Sequence, residues 1–252
     1  DFCLSRGLGD VYKRQIVDPD AATGLMVKER PSAASTAVHY YRAGSAGSRL
    51  RPEDLPDGWV EHASLLHITG ITPLLSDTAE AAVHLAIDRA RAAGTRVSFD
   101  INYRSALASP AVAGPALRDI AERSDVVFGG DEEFAILYPG ISVADAAARL
   151  HDAGCATTVL KQGPDGASVF TAGSVVGAPG FSIDPVDTVG AGDAFVAGYL
   201  SALLDGQDLE AVLRRANACG AMACLVPGDW EAAPTLRDLE RFVDGDSDPV
   251  RR

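Results

Sequence analysis

From about Ser64 onward, short apolar runs alternate with longer stretches whose apolar residues recur at helical spacing, and this alternation limits the fold more than any other feature. Leu65-Leu66-His67-Ile68-Thr69-Gly70 is an apolar run closed by a turn signal, and Thr78 to Ala93 places Ala82, Val83, Ala86, Ile87 and Ala90 on one face. Arg96–Asp100 reads as a strand ending in an acid, and Val126–Phe128, Thr158–Lys161 and Ala167–Phe170 as further strands. The spacing predicts helices over Pro115–Ala121, with its proline in the first turn, and over Asp131–Leu137, Val143–His151, Ala191–Leu204 and Leu209–Leu225. Such an order predicts an α/β domain, a mostly parallel sheet layered between helices, with ligands beyond the C-terminal strand ends. Two earlier β-like stretches, Gly24–Glu29 and Ala37–Arg42, are joined by a polar loop and fit a small projecting sheet.

The run Asp187-Thr188-Val189-Gly190-Ala191-Gly192-Asp193-Ala194-Phe195 leads into the helix at Ala191. A Gly-rich turn at a helix start is an anion site, because free N–H groups and the positive helix end face the ligand. Asp193 adds a carboxylate base beside that anion, the pairing that phosphoryl transfer to a hydroxyl requires. Taken as structure alone, the glycines make a tight turn and Asp193 caps the helix.

The 252 residues are 47% hydrophobic and 23% charged, which suits one globular domain with a sizeable core. The net charge of −13 argues against nucleic acid or an anionic membrane as partner. It leaves room for an anionic small molecule held by local arginines. No run of apolar residues is long enough for a membrane span. Cys155, Cys219 and Cys224 form no C-x-x-C pattern; they read as buried small apolar residues and fit a reducing cytoplasm. His67 lies in an apolar strand with no Ser or Cys elbow and reads as a core or supporting histidine.

The longer string D-T-V-G-A-G-D-A-F resembles the signature of the ribokinase-like (PfkB-type) carbohydrate kinases. Thr23-Gly24-Leu25-Met26, Tyr40-Tyr41-Arg42-Ala43-Gly44-Ser45-Ala46, His67-Ile68-Thr69-Gly70-Ile71-Thr72-Pro73, Phe99-Asp100-Ile101-Asn102-Tyr103-Arg104 and Gly228-Asp229-Trp230-Glu231 are similar to the 2-keto-3-deoxygluconate kinases within it. The resemblance implies a three-layer ribokinase-like fold with a β lid, and ATP and Mg²⁺ as cofactors. The lid would be the contact through which intact members form homo-oligomers. Asp193 becomes the general base, with the amides around Gly190, Ala191 and Gly192 as the oxyanion site. Asp187 and Thr188 shape the loop and, as in some relatives, lie near a monovalent cation such as K⁺.

On the same resemblance, Met26, Tyr40, Arg42 and Arg104 line a sugar-acid pocket, although many relatives have an aromatic at the Met26 position. An arginine pair suits a carboxylate, since each guanidinium can grip it in a fork, and a neutral sugar needs no such pair. Lys161-Gln162-Gly163-Pro164-Asp165-Gly166 is an ordinary hairpin turn by residue type. As K-x-G-x-x-G it resembles the nucleotide-side loop, where Gly163 and Gly166 let the backbone approach ATP and Asn217 flanks the adenine. Glu133 matches the family's N-x-x-E glutamate on the water shell of Mg²⁺, while Gly130 stands where that pattern has Asn. Acids in a first helical turn are also ordinary dipole partners.

Ser5 to Gln15 resembles a read-through sequencing adaptor, so Asp1–Gln15 is expected to be a non-native leader. The native part then starts at about Ile16, with the first strands of the family's sheet missing. The expected division is a leader over 1–15, a lid segment over 16–50, the kinase core over 51–243 and a polar tail over 244–252. A neutral-sugar kinase and an inactive nucleotide-binding fragment remain as alternative readings.

Overall fold

A computed structural model describes residues 16–32, 35–228 and 231–245. The leader Asp1–Gln15, the Asp229-Trp230 pair and most of the expected tail lie outside the described residues. Two strands, β1 (Leu25–Ser32) and β2 (Ser35–Tyr41), pair antiparallel as a separate ribbon. The main sheet holds β3 (Leu65–Thr69), β4 (Arg96–Asp100), β5 (Val126–Gly129), β6 (Thr157–Lys161), β7 (Ala167–Thr171) and β8 (Ser174–Ala178), in that spatial order. The pairs from β3 to β6 are parallel and the last two antiparallel, so five of the six strands point the same way.

Helices make the parallel crossovers: α1 (Asp77–Ala93) joins β3 to β4, α2 (Pro110–Glu122) joins β4 to β5, and α3 (Asp131–Leu137) with α4 (Val143–Asp152) joins β5 to β6. After β8 come α5 (Ala191–Leu204), α6 (Leu209–Ala223) and α7 (Leu236–Asp244). Strand alternation feeds two cores. Val127, with Val97 and Phe99, packs against Leu117 and Leu150, whereas Val126 and Phe128, with Val159 and Val169, pack against Phe195, Tyr199 and Leu213. Phe128 and Tyr199 meet edge to face, 5.0 Å between centroids. Each such buried side chain contributes roughly 1.5–3 kcal/mol. The result is the expected three-layer α/β arrangement. None of the described helices is long and apolar enough to cross a membrane. All three described cysteines are free and buried, and burial pushes the Cys155 and Cys219 thiols up to about 11.

Three elements differ from the sequence reading. The helix expected over Pro115–Ala121 begins instead at Pro110, leaving Pro115 inside it. Ser109-Pro110 is the true start, with proline at the first helical position. A Cβ on Gly114 would stand 2.7 Å from the Ile136 carbonyl oxygen, so this glycine lets α2 approach α3. Strand β8 was not among the expected strands; its pairing with β7, Val169 opposite Val176, is a tertiary effect. Helix α7 was also missed, although Thr235 accepts the Asp238 N–H and Asp238 accepts the Thr235 N–H, a capping box visible in the sequence.

Candidate active site

The C-terminal ends of β4, β5 and β6 converge on the start of α5. Gly190 caps that helix with φ +82°, a left-handed turn open to glycine at little cost. Ala191 N–H bonds back to Thr188 and Ala194 N–H to Gly190. The N–H groups of Gly190, Gly192 and Asp193 have no hydrogen-bond acceptor among the described residues. Open amides at the positive end of a helix form an anion-binding surface. The preceding loop is strapped down: Val186 and Asp187 donate their amides to the Cys224 carbonyl at 2.7 and 3.2 Å, and Asp187 Oδ1 accepts the Val189 N–H at 3.1 Å.

A polar row runs under this helix start. Asn102 Nδ2 donates to Asp193 Oδ1 at 3.3 Å and to Thr69 Oγ1 at 3.2 Å. Asn102 is buried and has φ +38°, a region that asparagine tolerates better than most side chains. Beside it, Lys161 Nζ donates to Asp100 Oδ1 at 2.7 Å and lies 3.8 Å from Glu133 Oε2. A Cβ on Gly192 would lie 3.8 Å from the same nitrogen, so the ammonium stands next to the open amides. Burial pushes Asp100 up to about 6 despite the Lys161 charge that opposes it. Glu133 accepts the Gly130 N–H at 2.8 Å and the Tyr103 N–H at 2.9 Å. A Cβ on Gly130 would meet nothing closer than 3.8 Å, so space does not force glycine at this departure from the family pattern.

A cavity of about 630 Å³ adjoins the start of α5, lined by Lys161, Gly163, Gly166, Thr188, Gly192, Asn217 and Phe181. Gly166 has φ +97°, and its Cβ would lie 2.1 Å from the Ala178 carbonyl oxygen. The turn after β6 therefore crosses the 178–180 segment with no room for a side chain. Asn217 Nδ2 donates to the carbonyls of Ala178 and Pro179 at 3.2 and 3.1 Å, fixing the same wall from α6. The size and largely apolar lining suit a nucleotide-sized ligand.

On the ribbon, Met26 pairs with Tyr40 and Lys28 with Val38, so these side chains share a face. The Arg42 guanidinium lies 3.9 Å over the Tyr40 ring. Lys28 Nζ donates to Asp187 Oδ2 at 2.8 Å and to the Gly228 carbonyl at 3.4 Å, joining the ribbon to the anion loop. That hydrogen bond holds the Asp187 carboxyl below the usual carboxylate range, outweighing its burial. Arg104 is exposed beyond the end of β4, with no acidic partner among the described residues. Met26, Tyr40 and Arg42 thus form one group, Asp193, Gly190, Ala191 and Gly192 a second, and Lys161, Gly163, Gly166 and Asn217 a third. His67 does not lie in the core. It is exposed on β3, the terminal strand of the described sheet, with Nδ1 paired to Ser98 Oγ at 2.9 Å.

The sequence reading missed Lys28, Asp100, Asn102 and Thr69 as site residues. An acid ending β4 was a usable signal for Asp100. No local signal marks Lys28, whose partner is 159 residues away.

Residues 11–236 match the family model described as pfkB family carbohydrate kinase. A 2-dehydro-3-deoxygluconokinase of Thermoproteus tenax is 37% identical over 243 residues, covering 94% of this chain and 73% of that protein. A putative ribokinase II of E. coli, in complex with ATP and Mg²⁺, superposes with a TM-score of 0.84 at 26% identity, covering 90% of this chain and 72% of that one. A double-mutant fructokinase of Vibrio cholerae O395, bound to fructose, ADP and a potassium ion, gives 0.77 at 26% identity, covering 90% and 74%.

Proposed function

The chain belongs to the pfkB family of carbohydrate kinases, and from that premise we propose that it phosphorylates the terminal hydroxyl of 2-keto-3-deoxygluconate, the 2-dehydro acid in the Thermoproteus enzyme's name. One observation carries the chemistry. The start of α5 carries three amides with no acceptor among the described residues together with a carboxylate, Asp193, whose Oδ1 is already held by Asn102. Asp193 takes the proton from the acceptor hydroxyl, and Asn102 leaves Oδ2 to face it. General-base assistance of this kind is typically worth about 10²–10⁴ in rate. The amides of Gly190, Gly192 and Asp193 hold the charge developing on the transferred group, where one donor can contribute about 2.7–4 kcal/mol.

Mg·ATP, when bound, supplies the phosphoryl group and neutralises its charge. The cavity beside Gly163, Gly166 and Asn217 fits the nucleoside, and Lys161 and Gly192 line the same cavity, which joins it to the anion site. No cluster of three or more His, Cys, Asp or Glu that could hold a metal occurs among the described residues. The site therefore suits a magnesium ion carried largely by phosphate and water, with Glu133 reached through that water. Met26, Tyr40, Arg42 and Arg104 bind the sugar acid, the arginines taking its carboxylate. The exposed outer face of the ribbon, with Leu25, Val27 and Tyr41, supports pairing of two copies through it.

The likeness to a fructokinase favours a second reading, a neutral-sugar acceptor. Both are tested by ADP release from Mg·ATP with 2-keto-3-deoxygluconate, its galactonate epimer and fructose. Turnover with the keto acids and little with fructose is expected. Preference for fructose overturns the sugar-acid assignment.

A further inference from the structure

Lys28 brings a cation from the ribbon into the loop that precedes the anion site. Its ammonium lies between Asp187 Oδ2 at 2.8 Å and the Gly228 carbonyl oxygen at 3.4 Å, and the Lys28 and Asp187 side chains are 20% and 4% exposed. The Gly228 N–H reaches the same carboxylate oxygen at 3.4 Å, so chain segments from three parts of the sequence meet at this point. A buried carboxylate beside a backbone carbonyl is an oxygen donor set suited to a hard cation. In this chain that position holds an ammonium, which carries the same single charge as potassium. The residues around Asp187 therefore do not fit an added monovalent ion while Lys28 is in place.

The charge matters because of where Asp187 sits. It begins the turn that ends at Gly190, its Oδ1 already bonded to Val189 N–H. Without a cation at Oδ2, a nearly buried negative charge would face the same short loop that must receive an anion. Burying an uncompensated carboxylate is costly, and like charge at an anion site weakens binding.

We propose that the Lys28 ammonium is a tethered monovalent cation for the anion-binding loop, so that this chain works without added potassium. The inference rests on the phosphoryl-transfer reading of that loop. An anchor that only held the ribbon in place would be lost with the side chain and not replaced by any salt, whereas a cation can be supplied from solution.

The test compares wild type with Lys28→Met, each in KCl, NH₄Cl or choline chloride at about 100 mM, so that screening is equal. Phosphoryl transfer and the thermal unfolding midpoint are both read. Wild type is expected to change less than about twofold in rate among the salts, and Lys28→Met to lose about tenfold or more in choline. Potassium or ammonium should restore most of that rate and raise the mutant's unfolding midpoint selectively. Lys28→Arg, which keeps the charge, should stay indifferent to potassium. Lys28→Gln repeats the comparison if Lys28→Met folds poorly. Strong activation of wild type by potassium overturns the inference. So does a folded Lys28 variant that ignores potassium in both rate and melting. If no acceptor turns over but potassium alone stabilises Lys28→Met, the cation role stands and the kinase reading fails.

Discussion

Replacing Lys161 with methionine separates the electrostatics of this site from its packing. The ammonium stands 2.7 Å from Asp100 Oδ1, and Asp100 is only 2% exposed. Removing one partner of a buried ion pair leaves the other charge uncompensated, at a cost of about 3–5 kcal/mol. In a domain of this size each kcal/mol moves the unfolding midpoint by about 2–4 °C, so the expected loss is roughly 6–20 °C. The loss must depend on pH. Asp100 is raised by burial from 3.8 to about 6, so the folded chain holds its proton more tightly than the unfolded chain. The group's own contribution to stability is therefore greatest below its unfolded value and declines as pH rises through about 6. Near pH 8 the carboxylate is ionised and depends on Lys161; near pH 5 it is mostly protonated in both proteins, and the mutation should cost less than about half as much. Calorimetry of both proteins at the two pH values reads this directly. An equal depression at both would refute a charge-pair role and leave only lost packing.

Three further substitutions probe separate parts of the site. Gly166→Ala, whose Cβ would lie 2.1 Å from the Ala178 carbonyl at a left-handed φ, should displace the turn after β6, raising KM for ATP about tenfold or more while lowering the unfolding midpoint; unchanged kinetics would mean the nucleotide does not use that turn. Arg42→Ala should raise KM for the keto acid by about 10–150-fold with kcat nearly constant, as expected for one charged hydrogen bond, and an unchanged KM would point to a neutral acceptor. Asn102→Ala should lower kcat about tenfold and leave KM for ATP alone, because it frees the Asp193 carboxylate to rotate; steady-state kinetics with both substrates varied would show this.

The layered α/β fold was legible because its signal is local. Apolar runs at β3 to β6 and helical spacing at α1, α5 and α6 each lie within one segment, and α5 was placed at its observed bounds. The misread elements owe their form to contacts made elsewhere. Helix α2 keeps Gly114-Pro115 because α3 packs on that glycine, and β8 exists because β7 supplies its partner. The same division holds at the site. Gly190 to Asp193 pointed to a candidate anion site through residue type and order. Asn102, Thr69 and Lys28 are ordinary polar residues until the chain brings them to Asp193 and Asp187. His67 read as a core or supporting histidine from its apolar neighbours; pleating turns it to the face opposite buried Ile68, where its ring meets Ser98 Oγ, which fits the supporting role and not the core one.

On the proposed function, Asp193 in the first turn of α5 is the base for phosphoryl transfer to a sugar acid. Turnover of 2-keto-3-deoxygluconate with Mg·ATP, compared between wild type and Asp193→Asn, tests it most directly. The mutant is expected to bind ATP as wild type does but to turn over about 10²–10⁴ times more slowly. A mutant within a few-fold of wild type would contradict it.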